Sequence, residues 1–374
     1  MQSLLLEKSE DPGWFGRVLE SVFANSKDNE VEEYKRGILP EFREKILPEG
    51  DTPLTNSSGG GGGGDRKTLA ASAGLTAVVG SSGKVYTFGL NQRGQCGVGD
   101  QKFHHVWEPK PVVLKTGEIL EGVTSVDLGL QHGMALDRDG NLYGWGKGAR
   151  GQLGLAQFKS HDFDNGKESI VDLEFGAIPI SDFELLTSEA RTVITGNDAR
   201  VKTMSAGWNH SAAITESNHA FVWGKNALAE LTDGVLKPID SPGPTAVEGL
   251  PSGLEIKDIS CGSHHTAILM EDGSVYAIGI STDTVEPIGE KAVQIIPPGL
   301  IDAPICQFTS HFDRTTILAG EDGQQVLEVQ LWSTDELRDS AVFEPEWVET
   351  LLQDNARVKM VQRGWLHTVV ITEQ

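Results

Sequence analysis

Residues Ser125–Gly146, SVDLGLQHGMALDRDGNLYGWG, and the GQLG that follows at Gly151–Gly154 indicate the fold, because the chain repeats them. Two further clear copies cover Met204–Gly224 and Ile259–Gly279. In each copy a glycine lies three residues before a histidine, and a second alternating apolar run ends in glycine. Self-similarity at a regular spacing is the signature of a repeat architecture.

Weaker copies extend the pattern in both directions. They begin at Ser72, which lacks the histidine, at Thr309, and at Gln362, after which the second half of the repeat is absent from the sequence. The anchor positions of the six copies are Gly74, Gly129, Gly207, Gly262, Ser310 and Gly364. The intervals between them are 55, 78, 55, 48 and 54 residues, so a single interval is long.

Each copy predicts a β-hairpin. Apolar alternation follows the histidine, and an Asp-Gly turn stands at Asp139-Gly140, Asp272-Gly273 or Asp322-Gly323 before the next run. About fifty residues hold about four short strands, and units of this kind bury their faces by stacking radially. The sequence therefore predicts an all-β fold, a single β-propeller of six or seven four-stranded blades over residues 69–374.

The ordered motifs G-x-x-H-[ST], [VL]-Y-x-[WF]-G and G-Q-[LC]-G resemble the repeat of the regulator of chromosome condensation family. The resemblance implies a propeller, usually of seven blades, that presents loops to protein partners. It also implies that a strand from the N-terminal region completes the last blade. Trp14–Gly16 is a faint candidate for that strand, although the sequence around it favours a helix.

The N-terminal region differs from the repeats. Phe15–Phe23 carries apolar residues at helical spacing, and a second helix is predicted near Val31–Arg36. The run Gly59–Gly64 is typical of a flexible linker. We therefore expect a helical extension over 1–50, a Gly-rich linker over 51–68 and the propeller over 69–374.

Charge and cysteine content restrict the partners. The formal net charge is -23, from 31 Lys+Arg against 54 Asp+Glu, which disfavours direct contact with nucleic acid or an anionic membrane. Three widely separated cysteines indicate a reducing compartment, and no apolar run is long enough to span a membrane. We expect a cytoplasmic or nuclear monomer, with a mitochondrial location as the alternative if the N-terminus is incomplete.

Four histidines occupy the same repeat position, namely His132, His210, His265 and His367. A metal site would need them within about 2 Å of one ion, whereas equivalent positions on different blades are spread around a channel. We expect them to form hydrogen bonds between blades instead. The G-x-G-x-x-G match at Gly146–Gly151 is interpreted as a repeat turn, since a dinucleotide site also needs a βαβ unit.

Two tryptophans, Trp208 and Trp365, stand in G-W-x-H contexts. This resembles the plant UV-B photoreceptor, whose propeller senses light through clustered tryptophans. That receptor carries an arginine between the tryptophan and the histidine, where this chain has Asn209 and Leu366. A packing role is therefore favoured over photoreception.

The long interval between the second and third copies gives the candidate site. It places about 23 extra residues between Leu155 and Arg200, with nine Asp/Glu against four Lys/Arg. An acidic loop with aromatics suits docking to a basic protein surface, and packing on its own blade is the alternative. The predicted partner-binding residues are Phe163, Asp164, Asp172, Phe175, Asp182 and Phe183.

No set of residues suggests an active site or a cofactor site. The leading hypothesis is a non-enzymatic, protein-binding scaffold or adaptor without cofactors. A second hypothesis is guanine-nucleotide exchange on a small GTPase, which the family resemblance implies. A third is a mitochondrial member of the family that acts in organellar RNA or ribosome biology.

Overall fold

The structure is a computed structural model. It describes residues 3–6, 47–48, 51, 54, 67–100, 102–155, 173–181, 183–186, 191–232, 235–280, 287–311, 314–320, 325–330, 342–343, 357–363 and 368–373. Almost all of the regular structure is β-strand, and the exception in the described part is a short 3-10 helix at Gly196–Ala199. The all-β prediction is confirmed.

The described strands are numbered along the chain. The first nine are β1 (Ser3–Leu6), β2 (Leu69–Ser72), β3 (Leu75–Val79), β4 (Val85–Leu90), β5 (His105–Pro111), β6 (Val123–Leu128), β7 (His132–Asp137), β8 (Leu142–Lys147) and β9 (Leu173–Ile180). The next nine are β10 (Phe183–Leu186), β11 (Arg191–Ile194), β12 (Val201–Ala206), β13 (His210–Thr215), β14 (Ala220–Thr232), β15 (Val235–Ala246), β16 (Ile256–Cys261), β17 (His265–Met270) and β18 (Val275–Gly279). The last seven are β19 (Val293–Ile296), β20 (Ile305–His311), β21 (Arg314–Ala319), β22 (Gln325–Gln330), β23 (Val342–Phe343), β24 (Arg357–Arg363) and β25 (Thr368–Glu373).

Within the described residues these strands form six sheets, which are the blades of the propeller. Blade 1 is β2-β3-β4-β5, blade 2 is β6-β7-β8-β9, blade 4 is β16-β17-β18-β19 and blade 5 is β20-β21-β22-β23. Blade 3 has six strands in the order β11-β10-β15-β14-β13-β12. The first strands of blades 1 to 5 touch one another in chain order, and β20 then contacts β24 of blade 6.

The hydrophobic core lies between blades rather than within one sheet. One cluster joins Val79 and Val85 of blade 1 to Val126 and Trp145 of blade 2. Equivalent clusters join blades 2 and 3, blades 3 and 4, and blades 4 and 5. A single hairpin buries neither face alone, so stacking of successive repeats supplies the apolar burial that stabilises each one.

Blade 6 is built from both ends of the chain. Strand β1 pairs antiparallel with β25, with Leu4 opposite Ile371 and Leu6 opposite Val369. This confirms that an N-terminal strand completes the last blade. Within the extension predicted over 1–50, Ser3–Leu6 is therefore a strand, and the helical part of the extension stays a prediction. The candidate Trp14–Gly16 and both predicted helices lie outside the described residues.

Part of the predicted linker packs on blade 1. The Asp51 carboxylate accepts hydrogen bonds from the Ser81 hydroxyl at 2.8 Å and the Tyr86 hydroxyl at 3.0 Å. The Leu54 N–H donates to the Val79 carbonyl at 2.8 Å. Burial opposes ionisation of Asp51, but its hydrogen bonds, chiefly from Ser82, outweigh it and lower its pKa to about 2. The run Gly59–Gly64 lies outside the described residues.

The strand register corrects one anchor. Ser310 pairs with Thr315 as Cys261 pairs with Thr266, so Ser310 is equivalent to Cys261 rather than to Gly262. The fifth copy was therefore placed one residue too early. Among the described residues no helix has the length and apolarity needed to cross a membrane.

Candidate protein-binding surface

The repeat histidines connect neighbouring blades. His132 Nε2 of blade 2 lies 3.0 Å from the Ser211 hydroxyl of blade 3. His210 Nε2 of blade 3 donates to the carbonyl of His265 in blade 4 at 3.2 Å. His265 Nε2 of blade 4 lies 3.5 Å from the Thr315 hydroxyl of blade 5. The described repeat histidines thus have the interblade role predicted for them, and His367 lies outside the described residues.

Burial keeps these imidazoles neutral. Desolvation lowers the pKa of His132 to about 4 and that of His210 to about 3. The Ser211 hydroxyl donates its proton to the Gln152 carbonyl at 2.9 Å, so it accepts from His132, whose Nε2 carries the hydrogen. Nδ1 of His132 therefore carries no proton, and Nε2 donates to Ser211. His132 thus acts as a fixed hydrogen-bond donor between the two blades.

The glycine before each histidine permits close contact between blades. A Cβ at Gly129 would overlap the His132 ring and the Gly207 carbonyl oxygen. A Cβ at Gly207 would meet the His210 ring and stand 2.7 Å from the Gly262 carbonyl oxygen. The glycine of the G-x-x-H motif therefore marks the point where the innermost strands of two blades approach too closely for a side chain to fit between them. Gly364 lies outside the described residues.

A second interblade device, here named the latch, consists of a G-Q-[LC]-G loop and a tryptophan of the next blade. Trp145 Nε1 of blade 2 donates to the main-chain carbonyl of Gln95 in blade 1 at 2.8 Å. Trp223 Nε1 of blade 3 donates to the main-chain carbonyl of Gln152 in blade 2 at 2.9 Å. Both indoles are fully buried.

The latch loops depend on glycine in the left-handed region. Gly94 and Gly97 of blade 1 have φ values of 75° and 64°, and Gly151 and Gly154 of blade 2 have 85° and 68°. Side chains other than glycine rarely adopt this conformation. The stretch Gly146–Gly151 therefore forms the repeat turn that we predicted rather than the start of a helix.

Blade 3 lacks the latch loop, and blade 4 lacks its tryptophan. After Gly224 the sequence KNALAELT replaces KGARGQLG, so Ala229 and Thr232 stand where blade 2 has its two loop glycines. In blade 4, Ile278 pairs with Thr266 as Trp223 pairs with Ser211, and it therefore occupies the tryptophan position. Both halves of the latch are absent from the same interface.

The chain forms a long hairpin in place of the missing loop. Strands β14 and β15 have 13 and 12 residues, and their pairing continues from Gly224–Ser241 to Thr232–Val235. We name residues 225–240 the arm. At about 3.3 Å per residue it extends roughly 25 Å beyond the blade. Asp240 at its base forms an ion pair with Arg150 of the blade 2 loop at 3.4 Å.

The long 155–200 interval also serves blade 3. Strands β10 and β11 form a hairpin on the outer edge of that blade, where Glu184 pairs parallel with Thr245 of β15. Strand β9 in the same interval is the ordinary fourth strand of blade 2. The extra residues therefore include two strands of blade 3. Blade 3 thus carries two departures from the repeat, namely the β10–β11 hairpin and the arm.

The predicted partner-binding residues do not come together in one described surface. Phe183 is 1% exposed and packs edge-on against Phe221, with ring centroids 5.0 Å apart, so it is a core residue. This corrects its assignment as an anchor for a partner. Phe175 is half-buried in β9. Phe163, Asp164, Asp172 and Asp182 lie outside the described residues, and their role stays a prediction.

A polar cavity lies among the first strands of blades 1 to 5. Lys67 Nζ lies 3.0 Å from Asp127 Oδ2 of blade 2, and that oxygen also accepts from the Ser205 hydroxyl of blade 3 at 3.1 Å. Burial alone would lower the pKa of Lys67, but the Asp127 and Asp258 carboxylates reverse the shift and raise it. Lys67 is therefore charged, and its ion pair with Asp127 connects the start of blade 1 to blade 2.

Trp208 lines the same cavity and contacts His264 edge-on, with ring centroids 5.3 Å apart. This contact agrees with a packing role for Trp208. Trp365 lies outside the described residues.

Comparison with known proteins agrees with this geometry. The family profile "Regulator of chromosome condensation (RCC1) repeat" matches residues 82–136, 139–214 and 217–269. A second profile of the same repeat matches 123–152, 201–228 and 256–283. The chain belongs to the RCC1-repeat family. The matched residues include both latches and the arm of this RCC1-repeat propeller.

Several curated proteins are similar to it in sequence. The Ultraviolet-B receptor UVR8 of Arabidopsis thaliana is 26% identical over 262 residues, which are 62% of this chain and 57% of the receptor. The human probable E3 ubiquitin-protein ligase HERC6 is 30% identical over 53% of this chain and 16% of its own length. The Saccharomyces cerevisiae guanine nucleotide exchange factor SRM1 is 26% identical over 56% of this chain and 39% of its own. The matches thus span between 16% and 57% of the length of these relatives.

Solved structures share the fold. Human WBSCR16 superposes with a TM-score of 0.56 at 16% identity, covering 83% of this chain and 88% of that one. Yeast RCC1 (Prp20), solved with Kap60, gives 0.56 at 18% identity, covering 90% of this chain and 68% of that one. At these identities the similarity supports the propeller architecture alone.

Proposed function

We propose that this RCC1-repeat propeller is a non-enzymatic protein-binding scaffold and that the arm on blade 3 binds the partner. The observation that carries the proposal is the paired loss of the latch. Blade 3 lacks the loop that blades 1 and 2 use for packing, and the same residues form a long hairpin. Connecting segments that depart from a repeat commonly carry recognition, because the packed blades position them.

The charge of the chain supports a protein partner over a nucleic acid. A net charge of -23 leaves few groups to neutralise phosphates. A structural relative adds support, because the yeast propeller Prp20 was solved bound to Kap60 and, in a second structure, is described with binding to Gsp1p and histones.

Affinity capture with and without the arm tests the proposal. In the armless variant an Asn-Gly turn replaces residues 226–239, which leaves the Gly224–Ser241 pair to close the hairpin. We expect recovery of specific partners to fall at least tenfold while the melting temperature changes by less than about 2 °C. Leu300→Ala, at an exposed position outside blade 3, is the matched control. Unchanged partner recovery by the armless variant would refute the role of the arm.

A second candidate is guanine-nucleotide exchange on a small GTPase. It is supported by the similarity to SRM1, which is named an exchange factor. The test is release of fluorescent GDP from a panel of purified small GTPases, with the armless variant as control. Faster GDP release from one GTPase, lost in the armless variant, would favour exchange activity. If GDP release is not accelerated from any GTPase, the scaffold function is the remaining candidate.

A further inference from the structure

Blades 1 and 2 join their second and third strands by turns with the same backbone hydrogen bond. The turns are residues 80–84 of blade 1 and 137–141 of blade 2. In each turn the N–H of the first residue donates to the carbonyl of the last, at 2.8 Å in blade 1 and 3.0 Å in blade 2. Gly80 therefore stands where blade 2 has Asp137. We name residues 80–84 the blade 1 turn.

The turn of blade 2 is held by a carboxylate of its own. Asp137 Oδ1 accepts hydrogen bonds from the N–H groups of Asp139 and Asn141, both at 2.9 Å. Asp137 Oδ2 accepts from the Tyr143 hydroxyl at 3.4 Å. Gly80 has no side chain, so the blade 1 turn cannot provide a carboxylate from the equivalent position.

Asp51 provides this carboxylate from outside the turn. Its Oδ1 accepts from the Ser82 N–H at 3.1 Å, and its Oδ2 accepts from the Tyr86 hydroxyl at 3.0 Å. These two donors are equivalent in position to two of the donors that bind the carboxylate in blade 2. The Asp51 carboxylate therefore takes the part that the turn's own aspartate takes in blade 2.

The absence of a side chain at Gly80 makes room for Asp51. A Cβ at residue 80 would lie 2.7 Å from Asp51 Cγ, which is too close for two carbon atoms that are not bonded. The φ of Gly80 lies outside the left-handed region, unlike that of Gly83 at 79°, so the backbone does not require glycine there. Space for the Asp51 carboxylate is therefore the reason for glycine at this position.

Further contacts favour an ionised carboxylate in this site. The hydroxyls of Ser81 and Ser82 donate to Asp51 at 2.8 Å and 2.5 Å. Burial opposes ionisation, but the hydrogen bonds, chiefly those from Ser82, lower the pKa of Asp51 to about 2. Leu47 and Leu54, on either side of Asp51 in the sequence, pack against apolar clusters that include residues of blade 1.

We propose that the blade 1 turn is a binding site for an ionised carboxylate and that Asp51 is its intramolecular ligand, which docks residues 47–54 on the propeller. The first residues of the predicted 51–68 linker thus belong to this docked segment. When Asp51 is replaced by a smaller residue, the same donors bind a small monocarboxylate from solution. The blade 1 turn is separate from the arm on blade 3, so this proposal and the proposed function succeed or fail independently.

Moving the carboxylate from residue 51 to residue 80 tests the proposal. Asp51→Ala leaves the donors without their acceptor, and Gly80→Asp puts a side chain where the Asp51 carboxylate lies. Each variant should lower the melting temperature of the full chain by about 2–4 °C. The double variant should melt above both single variants, because the introduced carboxylate can accept from the turn as Asp137 does.

The control for this exchange is Asp302→Ala, which truncates an exposed aspartate outside blade 1 and should shift the melting temperature by less than about 1 °C. A double variant that does not melt above both single variants would overturn the proposal, because residue 80 and Asp51 would then not share one carboxylate position.

Rescue by acetate tests whether the vacated donors bind a free carboxylate. The probe is sodium acetate added to the full chain with Asp51→Gly, or with Asp51→Ala if the glycine variant does not fold, and sodium chloride at the same concentration is the control. Acetate should raise the melting temperature of the variant by about 1–2 °C more than chloride does, with saturation. The parent chain and the double variant should show no such rise, because their sites are filled. No rise in the variant, or an equal rise in the parent chain, would refute carboxylate binding by the blade 1 turn.

Discussion

The interface between blades 2 and 3 and the interface between blades 3 and 4 use the same repeat in different ways. At the first, Gln152 presents its carbonyl to Trp223 and Ser211 together, at 2.9 Å from each donor. At the second, Ile278 is the residue in the tryptophan position, and the equivalent hydroxyl of Thr266 lies 3.6 Å from Cys261 Sγ. Both interfaces remain closed, since each has its own apolar cluster.

The two interfaces together show which parts of the repeat every blade contact requires. Burial between sheets is common to both interfaces, whereas the latch is present at only one. A loop that no longer closes an interface is free to change length and sequence. The arm of blade 3 is found where that freedom exists, and this is why we place partner binding there.

The largest expected effect is at the latched interface. Trp223→Ala should lower the free energy of unfolding by about 3–5 kcal/mol, because it empties a fully buried site and leaves a carbonyl without its indole donor. The armless variant should lose less than about 0.5 kcal/mol. Urea unfolding of both variants measures the contrast, and comparable losses would mean that the arm belongs to the core.

The next effect concerns the close approach of the innermost strands. Gly129→Ala should cost about 1–3 kcal/mol, since its Cβ has no room beside the Gly207 carbonyl. Gly253→Ala is the control, because it has φ of 84° but open space around it. Its cost should be limited to the backbone strain of about 1 kcal/mol. Equal losses would show that steric contact between blades is not the reason for glycine in G-x-x-H.

The fold was largely predictable because the same residues recur. Recurrence identified the blades and the histidine position, and the family resemblance implied an N-terminal closing strand. It could not show that Ser3–Leu6 is that strand, since four apolar-rich residues outside the repeat carry no pattern.

The candidate site was harder to predict, because its information lies in departures from the repeat. The change from GARGQLG to NALAELT and the isoleucine at position 278 are both visible in the sequence. Their meaning needed the hydrogen bond that joins the loop of one blade to the tryptophan of the next. Phe183 was misjudged for a similar reason, since only the sheet order shows that its strand extends blade 3.

Acid should weaken the histidine-linked interfaces in a defined window. The ordinary pKa is 6.5, and burial lowers it to about 4 in His132 and about 3 in His210. Below pH 6.5 the unfolded chain therefore takes up protons that the folded chain cannot. Stability should fall between pH 6.5 and 5 by up to about 2 kcal/mol for each histidine.

His210→Gln tests this linkage, because glutamine keeps a donor but does not titrate. Urea unfolding at pH 7 and pH 5 should show a smaller loss of stability in the variant than in the parent chain. An identical loss in both would mean that His210 does not control the acid response.

The smallest expected effect tests whether the two halves of the latch depend on each other. We would replace the arm with the blade 2 loop KGARGQLG and combine this with Ile278→Trp. Alone, Ile278→Trp should destabilise the chain by about 1–3 kcal/mol, because residue 278 is 1% exposed and the indole has no prepared site. Alone, the loop should change stability little. Together they should recover about 1 kcal/mol relative to additive behaviour, because the introduced indole N–H can donate to the transplanted glutamine carbonyl, as Trp223 does to Gln152. Chemical unfolding of all four chains gives the coupling energy directly. Strict additivity would show that the latch is two independent features and would remove the reason for linking the arm to the missing tryptophan.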